Sequence, residues 1–191
     1  VDRHQKKEEL RQNLLERREA IPEPDYYSLS ADIVEELKKQ DEFRAAQIIH
    51  CYVSMNQRRE VETRELIREI LFKGKQVIVP VTDFENRTLS HVRLRSYEDL
   101  QTNKWGVLEP NGGEEVSPNE IELVVVPMVA ADEECNRIGY GEGFYDRFLK
   151  QMNCPKIGLI FDRNVIEKLP VEEFDIPLNK VITETRIIHR N

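Results

Sequence analysis

The chain has 191 residues, 39% hydrophobic and 34% charged, with 28 Lys plus Arg against 36 Asp plus Glu for a formal charge of −8. That length suits one compact domain over residues 1–191, and the acidic balance argues against a nucleic-acid partner. Three cysteines (Cys51, Cys135, Cys154) without C-x-x-C spacing make neither a disulfide framework nor a zinc site, so a reducing, cytoplasmic setting is expected.

No apolar run approaches the roughly 20 residues that span a bilayer, and the charged opening Val1–Glu9 does not read as an export signal. Leu10, Leu14, Leu15 and Ile21 recur at helical spacing, predicting a helix over about 3–20 that Pro22 and Pro24 end. Ser28 or Ser30 is the expected cap of a second helix carrying Ile33, Val34 and Leu37. The run 46–53 reads as a buried strand. A third helix with Val61, Leu66, Ile67, Ile70 and Leu71 follows and ends at Gly74, then a strand at 76–81. An α-α-β-α-β order favours parallel pairing in a layered α/β domain.

Thr88 to Arg95 reads as a strand, and residues 96–120, rich in Gly and Pro, as a long loop of the kind that forms lids and binding loops. Residues 121–127 are the clearest core strand. A glycine-rich loop leads to a helix over about 143–152, then a strand at 156–161, a short helix at 163–169 and a terminal strand pair at 181–188.

The chemistry is concentrated in Asn136-Arg137-Ile138-Gly139-Tyr140-Gly141-Glu142-Gly143-Phe144-Tyr145-Asp146. Alternating glycines let backbone N–H groups approach a ligand, and a loop feeding a helix N-terminus suits phosphate, with Arg137 adding a fork of donors. The spacing is neither the dinucleotide fingerprint nor a P-loop. A plain strand-to-helix turn is the bland alternative, and the flanking Arg137 and Asp146 favour nucleotide. A carboxylate there would repel polyphosphate unless Mg2+ lies between them.

Lys7 and Arg11, at i and i+4, share a helix face that Arg18 continues. Such a stripe is ordinarily a solvated face paired with Glu8 or Glu9. Val53-Ser54-Met55 and Glu60-Val61-Glu62-Thr63 lie between a strand end and a helix start, where ligand binding and helix initiation are equally good accounts. The four histidines show no ligand spacing.

Taken together these segments resemble the 5-formyltetrahydrofolate cyclo-ligase family, also called methenyltetrahydrofolate synthetase, from Lys7 to Ile188. The resemblance rests on K-x-x-x-R at Lys7 and Arg11, E-V-E-T at Glu60–Thr63, Glu109-Pro110, and the R-I-G-x-G-x-G-F-Y-D signature at Arg137–Asp146. It implies a three-layer α/β/α fold with a mostly parallel central sheet. It also implies ATP- and Mg2+-dependent cyclisation of 5-formyltetrahydrofolate to 5,10-methenyltetrahydrofolate.

By position, it implies that Lys7, Arg11, Arg137, Gly139, Tyr140, Gly141, Glu142, Gly143, Phe144 and Tyr145 hold ATP, with Lys7, Arg11 and Arg137 neutralising charge during the reaction. Asp146 and Asp175 would hold Mg2+. Arg11, Val53, Glu60, Tyr140, Gly141, Gly143 and Phe144 would meet the folate. Glu142 departs from the glycine or lysine commoner there and is expected to point outward. Asn179 replaces a frequent aspartate and receives no metal role. The expected partner is the small-molecule folate, with no membrane, and a monomer or weak homo-oligomer. The rivals are a sugar-phosphate isomerase on a related fold and a non-catalytic nucleotide-binding module.

Overall fold

Helix α1 (Arg3–Glu19) stops before Pro22, as its sequence requires; the computed structural model describes residues 3–191. The two prolines also begin the next helix, α2 (Glu23–Lys38), because Pro24 stands in the first turn, where no backbone N–H is needed. The serine cap is therefore corrected. Ser28 lies inside α2, and the buried Ser30 accepts the Glu62 N–H at 3.0 Å. A short helix α3 (Asp41–Ala45), not foreseen from the sequence, leads into strand β1 (Ile48–Cys51). β1 is shorter than the apolar run 46–53. Helix α4 (Arg64–Phe72) follows, then strands β2 (Gln76–Asp83) and β3 (Thr88–Leu94).

Residues 96–120 are not a structureless loop. They hold a hairpin of β4 (Leu100–Thr102) and β5 (Leu108–Pro110), with single 3-10 turns at Tyr97–Asp99 and Pro118–Glu120. Three-residue strands are too short to show a hydrophobic period, which is why turn residues dominated the sequence there. Next come β6 (Leu123–Val126), β7 (Ala130–Asp132), β8 (Arg137–Ile138), helix α5 (Phe144–Lys150) and β9 (Lys156–Leu159).

The short helix expected at 163–169 is also corrected. A 3-10 turn at Asp162–Asn164 gives way to β10 (Val165–Ile166), which pairs with β7. The Asn164 amide donates to the carbonyls of Leu14 (2.7 Å) and Val129 (2.8 Å), pulling this segment into a small sheet ordered β10-β7-β8. The terminal pair appears as β11 (Lys180–Ile182) and β12 (Ile187–His189).

Seven strands form the main sheet in the order β12-β11-β9-β6-β1-β2-β3. The inner pairings are parallel, and only the edge pairs β11/β12 and β2/β3 are antiparallel. Both faces are covered, so β6 reads as an unbroken apolar run rather than an alternation. Leu123 and Val125 pack with Ile33, Leu37, Leu66, Ile67 and Ile70 of α2 and α4, while Val124 and Val126 pack with Phe148 and Leu149 of α5. The result is the expected α/β/α layering. Helix α1 instead packs through Leu14 on Val129, Ala130 and Ile138 of the small sheet. No helix among the described residues is long and apolar enough to cross a membrane.

Candidate active site

Parallel α/β sheets bind ligands beyond the carboxyl ends of their strands. Here Tyr52 and Val53 after β1, Pro80 and Thr82 in β2, and Pro127 after β6 open into a cavity of about 300 Å³. Every residue that the resemblance assigned to ATP, Mg2+ or folate lines it: Lys7, Arg11, Val53, Glu60, Arg137, the loop Gly139–Tyr145, Asp146 and Asp175.

The charged stripe of α1 is not a solvated face. Lys7, Arg11, Leu14 and Arg18 recur at helical spacing and are the buried residues of that helix, so the stripe faces inward. Lys7 Nζ donates to both carboxylate oxygens of Asp175, at 2.7 and 2.5 Å, and to Glu172 at 3.0 Å. Arg11 pairs with Glu8 and donates its Nε to the Gly139 carbonyl at 2.8 Å.

On the far side of the glycine loop, Arg137 Nη2 donates to Asp146 Oδ1 at 2.8 Å, and that oxygen also accepts the Ile176 N–H at 3.1 Å. Asp146 sits in the first turn of α5, where its charge also suits the helix dipole, but its hydrogen bonds run to Arg137 and Ile176 rather than to its own helix. The Arg137 Nε and the Tyr145 hydroxyl are buried without a protein partner, and both residues line the cavity. Three cationic side chains thus converge on one wall, each held by a carboxylate.

The loop needs its glycines for geometric reasons. Gly141 has φ of +101°, and a Cβ there would lie 3.2 Å from the Arg11 guanidinium carbon. Gly143 caps α5 in the left-handed region. Glu142 is exposed, in keeping with the outward orientation expected of it.

The E-V-E-T segment divides its labour. Glu62 accepts the Arg64 N–H at 2.9 Å and serves the start of α4, while Thr63 and Ser54 exchange hydrogen bonds at 3.0 and 3.1 Å. Glu60 is turned away from the helix into the cavity wall. Its Oε2 accepts the Met55 N–H at 2.7 Å and its Oε1 accepts the Tyr140 hydroxyl at 3.0 Å. Burial raises the Glu60 carboxyl above its ordinary value, against the pull of Arg18, Met55 N–H and Tyr140. Burial likewise raises the Tyr140 phenol.

Asn179 accepts the Lys156 N–H at 2.8 Å and ties β9 to β11, a structural place. Among the described residues no group of three or more His, Cys, Asp or Glu side chains is arranged to cage a metal ion. Asp146 and Asp175 are nonetheless hard oxygen donors on one cavity. That suits Mg2+, which keeps several waters and takes one or two carboxylates together with substrate phosphates.

Glu172, which lines the cavity, and Arg18, which lies behind it against Tyr140, carried no functional reading from the sequence. Glu172 lies in an irregular segment with no periodicity to mark it. Arg18 was visible only as the continuation of a stripe assigned to solvent, although its helical phase with Lys7 and Arg11 was the available signal.

Residues 3–184 match the 5-formyltetrahydrofolate cyclo-ligase family. A mouse 5-formyltetrahydrofolate cyclo-ligase is 27% identical over 188 residues, covering 92% of each chain. The Escherichia coli K12 enzyme of the same name is 35% identical over 134 residues, 67% of this chain and 74% of its own. Among solved structures, Aquifex aeolicus 5,10-methenyltetrahydrofolate synthetase superposes with a TM-score of 0.85 at 33% identity, over 96% of this chain and 92% of that one.

Proposed function

The chain belongs to the 5-formyltetrahydrofolate cyclo-ligase family, and from that premise we propose that it cyclises 5-formyltetrahydrofolate to 5,10-methenyltetrahydrofolate, converting ATP to ADP and phosphate. The observation that carries this reading is the convergence of Lys7, Arg11 and the Arg137–Asp146 loop with the buried Glu60 on one cavity.

The formyl oxygen of the substrate is an amide oxygen and a poor leaving group. Transfer of the γ-phosphoryl group to it makes a phosphate ester-like leaving group, N10 then closes on the formyl carbon, and phosphate departs. No protein nucleophile is needed, so catalysis is positioning plus neutralisation of charge on the transferring group. Lys7, Arg11 and Arg137 supply that neutralisation. Glu60, Val53 and the Tyr140–Phe144 segment receive the folate.

Asp146 and Asp175 would hold Mg2+, which offsets phosphate charge when bound. Phosphate arriving at Lys7 and Arg137 competes with Asp175 and Asp146 for these cations and leaves the carboxylates free to act as ligands.

The test is the absorbance of methenyltetrahydrofolate followed with 5-formyltetrahydrofolate, ATP and Mg2+ together and with each omitted. Turnover is expected only with all three. Full-rate product without nucleotide overturns the reading and favours the isomerase-like alternative.

A further inference from the structure

Arg18 is among the largest fully buried side chains, 1% exposed, and nothing in the proposed reaction uses it directly. Its Nε donates to the Arg58 carbonyl (2.8 Å) and its Nη1 to the Met128 carbonyl (2.7 Å), two anchors on separate segments that stop the guanidinium from turning. The remaining arm, Nη2, donates to the Tyr140 hydroxyl at 2.6 Å. That hydroxyl in turn donates to Glu60 Oε1. Because Arg18 has only protons to give, the phenolic proton is committed to Glu60 and cannot rotate away.

We propose that Arg18 is a positioning residue for the folate end of the cavity: through the Tyr140 hydroxyl it fixes the orientation of the Glu60 carboxylate. The inference rests on the functional reading above and assigns it a residue that touches neither ligand. Each Glu60 oxygen already has one donor, from Met55 and from Tyr140, which leaves each one further acceptor direction for a substrate N–H. A carboxylate held this way orders the ligand. One left to swing, or one that takes up a proton, offers a donor where the substrate also presents a donor.

The groups facing Glu60 are Arg18 from α1, Arg58 from the 3-10 turn Asn56–Arg58, and the phenols of Tyr140, Tyr52, Tyr26 and Tyr145. Arg18 is the buried cation among them. The arrangement opposes the burial that raises the Glu60 carboxyl, so losing Arg18 or Tyr140 raises it further.

Tyr140→Phe removes the relay hydroxyl while leaving the two backbone anchors of Arg18 intact. We expect KM for 5-formyltetrahydrofolate to rise roughly 10- to 100-fold, the loss of one charge-assisted contact. The acid limb of kcat/KM for the folate should move to higher pH. Arg18→Met should change the same two quantities, with a larger pH displacement, and the double variant should be no worse than Arg18→Met alone.

Calorimetric binding of 5-formyltetrahydrofolate without nucleotide gives a readout independent of turnover and should weaken in parallel. A Tyr140→Phe enzyme with the parent's folate KM, binding and pH limb overturns the inference even if Arg18→Met fails to fold. A parent enzyme that neither binds nor turns over the folate overturns the functional reading, and this inference with it.

Discussion

Asp146 and Asp175 each meet a cation at hydrogen-bond distance, Arg137 and Lys7 respectively, and the proposed Mg2+ role would have to displace these ion pairs. Asp146→Asn and Asp175→Asn should each lower ATP-dependent rate by about tenfold or more, since one charge-assisted contact is worth roughly 1.5–3 kcal/mol. Both should raise the Mg2+ midpoint, because a neutral amide is a weaker ligand for a hard cation. Initial rate titrated with Mg2+ decides it, and a parent-like midpoint and rate for Asp146→Asn removes that residue from the metal. Glu60→Gln keeps the shape and removes a charge that burial disfavours. KM for the folate should therefore rise while ATP affinity and melting temperature hold. Gly141→Val places a branched side chain at φ of +101° against Arg11, and calorimetry should find ATP binding lost with normal circular dichroism.

Among the elements, α1 shows how far composition can mislead. Its mean character is strongly polar, yet its buried stripe is Lys7, Arg11, Leu14 and Arg18, each charge answered by a carboxylate or a carbonyl. A helix that buries charge this way is ordered by its partners more than by apolar area. Strand β9 shows the opposite regime of close apolar contact. A Cβ on Gly158 would lie 1.8 Å from the Met128 terminal methyl and 2.5 Å from a Leu178 methyl. Gly158→Ala should cost about 1–3 kcal/mol through overpacking, read as a lower urea midpoint with an unchanged slope.

The molecule as a whole couples its layers to pH through two histidines. His50 on β1 and His91 on β3 meet ring to ring, with Nε2 of one 3.1 Å from Nδ1 of the other, and both rest on Phe148 of α5. Burial lowers both imidazoles, His50 well below its usual value and His91 to about 4. The unfolded chain therefore binds protons that the folded chain refuses. Stability is full above about pH 6.5 and is lost as pH falls toward about 4, by up to about 1.4 kcal/mol per pH unit for each imidazole. Glu60 acts in the opposite sense, because a raised carboxyl takes its proton more readily when folded. Urea unfolding across this range should show the decline, and His50→Leu combined with His91→Leu should flatten it.

Local pattern in the chain determined the long α1, the parallel core strands β1, β6 and β9, the terminal strand pair, and the glycine loop with its flanking Arg137 and Asp146. Those features follow from periodicity and from residues whose backbone freedom is particular to them. The hairpin β4/β5 and the sheet β10-β7-β8 were not legible, since strands of two or three residues have no period and exist only through pairing across the fold. Local pattern likewise left Glu60 divided between ligand and helix start and read the α1 charges as ordinarily a solvated face, and only the family resemblance gave Lys7, Arg11 and Glu60 a place at ligands. Tertiary structure showed that both are buried and paired, because the burial of a charge depends on a partner the local sequence does not contain: Lys7 meets Asp175 across 168 residues, and Glu60 meets Tyr140 across 80.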